Sequence, residues 1–174
     1  NMSIHTPYYM DLGSDDELCM ECMNSIRYAG LIMNALDGDI VVTSLGLYDG
    51  KRDPEDIEDH IYGNVADLMD WWHGNGLKPR LGIEITGQQD VFGSLDQVLD
   101  ICEQIDGLTP VINFSHLHSR TNGSLIEMDD FLNVLEMVEP MSDGRIHTAF
   151  AGVDYLDGNE RRLTPIKNCL LYTS

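Results

Sequence analysis

A chain of 174 residues can bury one domain-sized core, and a 43% share of hydrophobic residues excludes a disordered polymer. Thirty acidic residues against ten Lys and Arg leave a formal charge of −20. That balance excludes a basic arm for nucleic acid and repels anionic partners wherever salt does not screen them. Two readings of the charge fit: a salt-adapted cytosol, or anionic ligands that bind only where metal ions locally reverse its sign. No run approaches the roughly 20 apolar residues of a membrane span. Cys19, Cys22, Cys102 and Cys169 form no disulfide framework. A cytoplasmic protein without membrane contact is therefore expected.

Residues 2–9 read as a short strand and loop carrying His5. Ser14, with Glu17 three residues on, makes a capping box, with Asp15 and Asp16 in the first turn. The helix it opens should run to about Leu36 and bury Leu18, Cys22, Ile26, Ala29 and Met33. Cys19 and Cys22 have CxxC spacing, but they lie in an amphipathic helix with no second pair, so they read as core; so do Met20, Met23 and Met33. Residues 39–43 form a β-branched strand buried on both faces, and a glycine-rich loop from Ser44 follows. Pro54 opens a helix to about Trp72, with Ile57, Ile61, Val65, Leu68 and Trp72 inward, and Trp71-Trp72 clamping it to a sheet. His60 and His73 read as solvated.

Residues 80–85 are a third strand, with Glu84 near its end, and residues 87–93 are a polar loop. Ser94 caps a helix carrying Leu95, Val98, Leu99, Cys102 and Ile105 at helical spacing, which Gly107 stops. Residues 111–114 are a strand, followed by a loop with His116 and His118. A helix over 128–138 and a strand over 145–150, with His147 inside it, complete the pattern; beyond Gly152 the chain turns polar.

Strand and helix alternate throughout, which predicts a parallel sheet with right-handed crossovers. The fold class is α/β: an incomplete (β/α)8 TIM barrel of about five parallel strands with crossover helices, too few to close. An open doubly wound sheet is the alternative, although no Gly-x-Gly-x-x-Gly follows the first strand. Residues 1–167 are expected to be a partial barrel domain. Residues 168–174 break the period and are expected to be a non-native tail on a fragment of a longer protein.

In such a fold His5, Glu84, His116 and His147 stand at or near one rim, with Ser44, Asn113 and His118 close by. Imidazole and carboxylate together suit Zn2+, or alternatively Mn2+. A carboxylate among histidines can bridge two metals roughly 3.5–4 Å apart, as in phosphodiester hydrolysis.

Five segments carry a resemblance: Ser3-Ile-His-Thr-Pro-Tyr-Tyr9, Gly82-Ile-Glu-Ile-Thr-Gly87, Val91-Phe-Gly-Ser-Leu95, Val111-Ile-Asn-Phe-Ser-His-Leu-His118 and Ile146-His-Thr-Ala-Phe-Ala-Gly-Val-Asp-Tyr155. In order and spacing they resemble the archaeal branch of the apurinic/apyrimidinic endonuclease type IV family, within the xylose-isomerase-like barrels. The resemblance implies a trinuclear zinc site cleaving DNA at abasic sites. It implies that His5 and Glu84 bind a first metal, that Glu84 bridges to a second held by His147, and that His116 and Glu160 serve a third. Glu84 is then the catalytic centre. Ser44, Asn113 and Arg162 depart from the family's usual histidine, aspartate and histidine. Neutral groups ligate zinc weakly and Arg162 not at all. One or two metals are therefore expected, with Arg162, Asn113, Ser44 and His118 on the substrate side and Arg162 free to hold a phosphate. A sugar isomerase or epimerase, with Glu84 moving a proton, and a metal-depleted binding module are the alternatives.

Overall fold

The computed structural model describes residues 2–14 and 17–166. Strands β1 (Ser3–His5), β2 (Ile40–Thr43), β3 (Arg80–Glu84), β4 (Leu108–Asn113) and β5 (His147–Ala149) pair side by side in sequence order, all parallel. Helices α1 (Glu17–Ala35), α2 (Pro54–Gly74) and α3 (Leu95–Gln104) each fill one crossover. The crossover from β4 to β5 holds two, a short α4 (Phe114–Arg120) and α5 (Met128–Val138). The product is a half-barrel, the incomplete TIM barrel that the alternation predicts.

Local chemistry sets these elements. Asp53 accepts from the Glu55 amide, Pro54 starts α2, and Ile57, Ile61, Val65, Leu68 and Trp72 are all buried at the spacing read from sequence. Ser94 and Gln97 make a reciprocal capping box at α3. Trp72 ties α2 to α1 and to the turn before β3: its indole NH donates to the Pro79 carbonyl at 2.9 Å and its ring packs on Gly30 of α1. Trp71 is half-buried beneath the Arg27 guanidinium. Cys19 and Cys22 are buried in the core. The helix-covered face of the sheet holds Val41, Leu81, Ile83 and Ile112; the opposite face holds a smaller cluster of Ile40, Val42 and Val111.

Three expectations need correction. Leu18 and Met20 are 46% and 52% exposed, because the inward stripe of α1 is Cys19, Cys22, Met23, Ile26, Ala29, Gly30 and Met33. That set keeps the i, i+3, i+4 rhythm, and Leu18 sits one residue, about 100°, off it. His116 and His118 lie on α4 rather than in a loop, because the Asn113 side chain accepts from the His116 amide and caps a helix there. The polar stretch after Gly152 is an antiparallel hairpin of β6 (Gly152–Leu156) and β7 (Asn159–Thr164). It turns at Asp157-Gly158, both at positive φ (50° and 74°), the pairing that a two-residue hairpin turn favours. The expected tail, 168–174, lies outside the described residues. Among the described residues no helix is long and apolar enough to cross a membrane.

Two glycines on neighbouring helices should respond oppositely to alanine. At Gly30 a Cβ would enter the buried Trp72 ring, so Gly30→Ala should cost about 1–3 kcal/mol. At exposed Gly63, inside α2, a Cβ meets nothing, so Gly63→Ala should add about 0.5–1 kcal/mol through helix propensity. Urea midpoints at constant slope measure both.

Candidate active site

Glu84 ends β3, and strand alternation puts it on the helix-free face with Gly82. Gly82 approaches Val111 and Ile40 too closely for any side chain. Glu84 is only 6% exposed. Its Oε2 lies 2.9 Å from His5 Nε2 and 4.0 Å from His116 Nε2, and its Oε1 accepts from Asn113 Nδ2 at 3.2 Å. Burial works to raise its pKa. The His5 hydrogen bond, the charge of His116 and the Asn113 amide together hold it below the usual carboxylate range.

The far nitrogen of each imidazole is also engaged. His5 Nδ1 lies 2.6 Å from the Thr6 carbonyl, and His116 Nδ1 lies 2.5 Å from Glu160 Oε2. Both partners only accept, so both Nδ1 atoms carry the proton and both Nε2 atoms present their second valence toward one Glu84 oxygen. A lone pair facing a carboxylate needs a proton or a cation between them. In the metal-free protein His5 meets the need with a proton: the Glu84 hydrogen bond raises its pKa, over the opposing effect of burial and with help from the Thr6 carbonyl. The exposed Tyr8 ring lies over His5, centroids 4.8 Å apart.

Glu160 reaches His116 because the hairpin docks on the loop after β3. The Glu160 amide donates to the Gly87 carbonyl at 2.8 Å, Gln88 Nε2 donates to the Glu160 carbonyl, and the Gln89 amide donates to Asn159 Oδ1. Arg120 fixes that loop from below, donating to Thr86 Oγ1 and to the Gln88 and Val91 carbonyls. A Cβ on Gly87 would stand 2.9 Å from Glu160 Oε2 and 3.0 Å from His116 Nδ1.

The other expected residues make further contacts. His147 is level with Glu84 in register, through Val111, and lines a cavity with Arg80 and Arg145. Burial lowers its pKa, Arg80 adds to that, and Glu84 opposes it. His118 sits two residues from His116 on α4, roughly 200° around the helix, so it turns away from Glu84 and meets the Tyr155 ring edge-on at 5.4 Å. Ser44 donates to the Tyr8 carbonyl. Arg162 is exposed and pairs with Asp154 at 3.4 Å. His60 and His73 are exposed. Sequence reasoning missed Thr6, Gly87, Gln88 and Gln89; only Gly87 carried a signal, at the end of the Ile-Thr-Gly segment after Glu84.

Among the described residues no three His, Cys, Asp or Glu side chains stand as a closed ligand set. The donor chemistry of His5, Glu84 and His116 nevertheless fits a divalent ion. Metal-binding imidazoles present one nitrogen and anchor the other on a carbonyl or carboxylate, as both do here.

A sequence profile of the xylose isomerase-like TIM barrel family matches residues 1–156, and the chain belongs to that family. It is 31% identical over 172 residues to an uncharacterized protein of Methanocaldococcus jannaschii, covering 94% of this chain and 61% of that one. Two solved structures are similar in fold. One is a D-tagatose 3-epimerase-like protein, with a TM-score of 0.70, 20% identity, and coverage of 89% of this chain and 58% of that one. The other is endonuclease IV from Thermus thermophilus, with a TM-score of 0.64, 18% identity, and coverage of 90% and 54%. The chain thus spans about three fifths of the relative it matches.

The pair of pKa shifts fixes a pH dependence. Glu84's share of stability is present above its ordinary value and is lost as pH falls through the lowered one. His5's share is fully present below 6.5 and is lost as pH rises through its raised value. In chelator, stability from the pair should therefore peak between the two. In Glu84→Gln the His5 ring, followed by NMR, should titrate at lower pH; an unmoved titration would remove the pairing.

Proposed function

We propose that the chain carries one divalent-ion site, Zn2+ or Mn2+, held by His5, Glu84 and His116, and that it serves an isomerase or epimerase acting on a small sugar. The observation that carries this reading is the pair of Nε2 atoms aimed at one buried carboxylate oxygen, each with its Nδ1 proton committed elsewhere. The ion, when bound, supplies Lewis acidity toward substrate oxygens. The protein's own groups do the rest. The Thr6 carbonyl and Glu160 set the two tautomers. Asn113 Nδ2 donates one hydrogen bond to Oε1 of Glu84, which leaves that oxygen a lone pair to take a proton beside a carbonyl. The exposed Tyr8 ring borders the same mouth.

Hydrolysis of DNA at abasic sites is the second reading, favoured by the five motif segments and by the likeness in fold to endonuclease IV. It requires His147 and Glu160 as further ligands. Here Glu160 meets His116, the neighbour a shared ion would need, whereas His147 lies beside Arg80. The three departures are engaged as well: Ser44 with Tyr8, Asn113 with Glu84, and Arg162 with Asp154. A charge of −20 repels DNA unless salt screens it.

Dialysis against Zn2+ or Mn2+ should leave about one equivalent bound. Glu84→Gln should lose it and His60→Ala should keep it. No retained metal in the parent chain would overturn the reading in favour of a binding module. With metal present, a ketohexose should exchange the proton on the carbon beside its carbonyl with solvent. Nicking of an abasic duplex at high salt, with the sugar inert, would install the second reading instead.

A further inference from the structure

On the helix-free face of the sheet, running from the strand starts up to His147, there is a cavity of about 300 Å3, lined by Ser3, Asp39, Ile40, Arg80, Arg145 and His147. Arg80 opens β3 and Glu84 closes it, a span of roughly 13 Å along the strand. Two of the chain's ten basic residues meet here, in a molecule of charge −20. Their guanidinium groups are poorly compensated. Arg80 donates through Nη1 to the Arg145 carbonyl at 2.8 Å, and its Nε is buried with no hydrogen-bond partner. Among the described residues Arg80 makes no ion pair. Asp39, the carboxylate in the lining, accepts from the Met2 amide with Oδ2 and stands 3.9 Å from Arg145 with Oδ1. Burial and then the neighbouring Arg145 charge lower the pKa of Arg80, against the weaker pull of Asp39 and Asp143.

We propose that this cavity binds a small oxyanion, a phosphate or carboxylate group, between the Arg80 and Arg145 guanidinium groups. Arg80 commits only Nη1 to a protein acceptor, so its remaining terminal N–H groups are free to donate into the cavity, while Nε is closed to solvent. Guanidinium is the side chain whose geometry matches such an anion. The volume exceeds that of the anion alone, so the group can belong to a larger molecule. The site needs no metal and stands whether or not the reading of the Glu84 cluster holds.

The test is calorimetric titration of the 174-residue chain with inorganic phosphate and, separately, acetate, in EDTA and at fixed ionic strength. Arginine Nε–H resonances are followed in parallel. At least one of the two anions should saturate and shift the Arg80 resonance, and which one does so names the group. Arg80→Gln should weaken binding about tenfold or more, the loss of a charged hydrogen bond. Lys51→Gln removes the same charge from the exposed loop after β2 and should leave the affinity unchanged. If Arg80→Gln fails to fold, Arg145→Gln, at the exposed rim, should show the same weakening. No saturation by either anion would overturn the proposal, as would an equal loss in Lys51→Gln.

Discussion

A carboxylate taken out of water must be given a positive partner, and Glu84 is the place where this chain meets that demand. Leaving an ion of this size unpaired in a protein interior costs several kcal/mol. Each neighbour answers part of that cost. His5 supplies charge to Oε2, His116 stands on the same oxygen, and Asn113 covers Oε1. The partners then need positioning of their own. The Thr6 carbonyl and Glu160 do this, and Glu160 in turn needs a hairpin, a loop with room at Gly87 and the Arg120 anchor beneath it. A chain of local requirements thus runs from one buried oxygen out to the last described strand.

Much of the frame is legible in the residues. The regular alternation of apolar runs with capped amphipathic helices gives five parallel strands. Parallel strands carry Glu84 and His5 to one rim, and Asn113 to the turn into α4. What stays hidden depends on phase and on distant contact. Leu18 and Met20 differ from their buried neighbours only by rotation about the α1 axis, and an apolar helix with two candidate stripes does not say which one faces in. His116 and His118 look equivalent as members of a loop; a single turn of helix, capped by Asn113, sends them to opposite sides. His147 has the expected height on the sheet, and the cavity it shares with Arg80 and Arg145 has no signature in the local sequence. The hairpin was readable in principle at Asp157-Gly158, but its grip on residues 87–89 has no local signature at all.

Membership of the xylose isomerase-like TIM barrel family fixes where chemistry can occur and leaves open which chemistry it is, since one barrel hosts many reactions. His116 meets Glu160, His147 lines the cavity with Arg80, and Arg162 pairs with Asp154. The formal charge of −20 repels any polyanion wherever salt does not screen it.

β1 is the edge of the sheet among the described strands, and it is held to β2 across only three residues. Its last residue is His5. Short border segments detach in small thermal excursions, well below the energy that opens a core. Each such excursion removes the charge partner of Glu84 while α2, β3 and β4 remain packed. Among the described strands, the charge partner of Glu84 thus rests on a three-residue border segment, while Glu84 itself sits in the packed middle of the sheet.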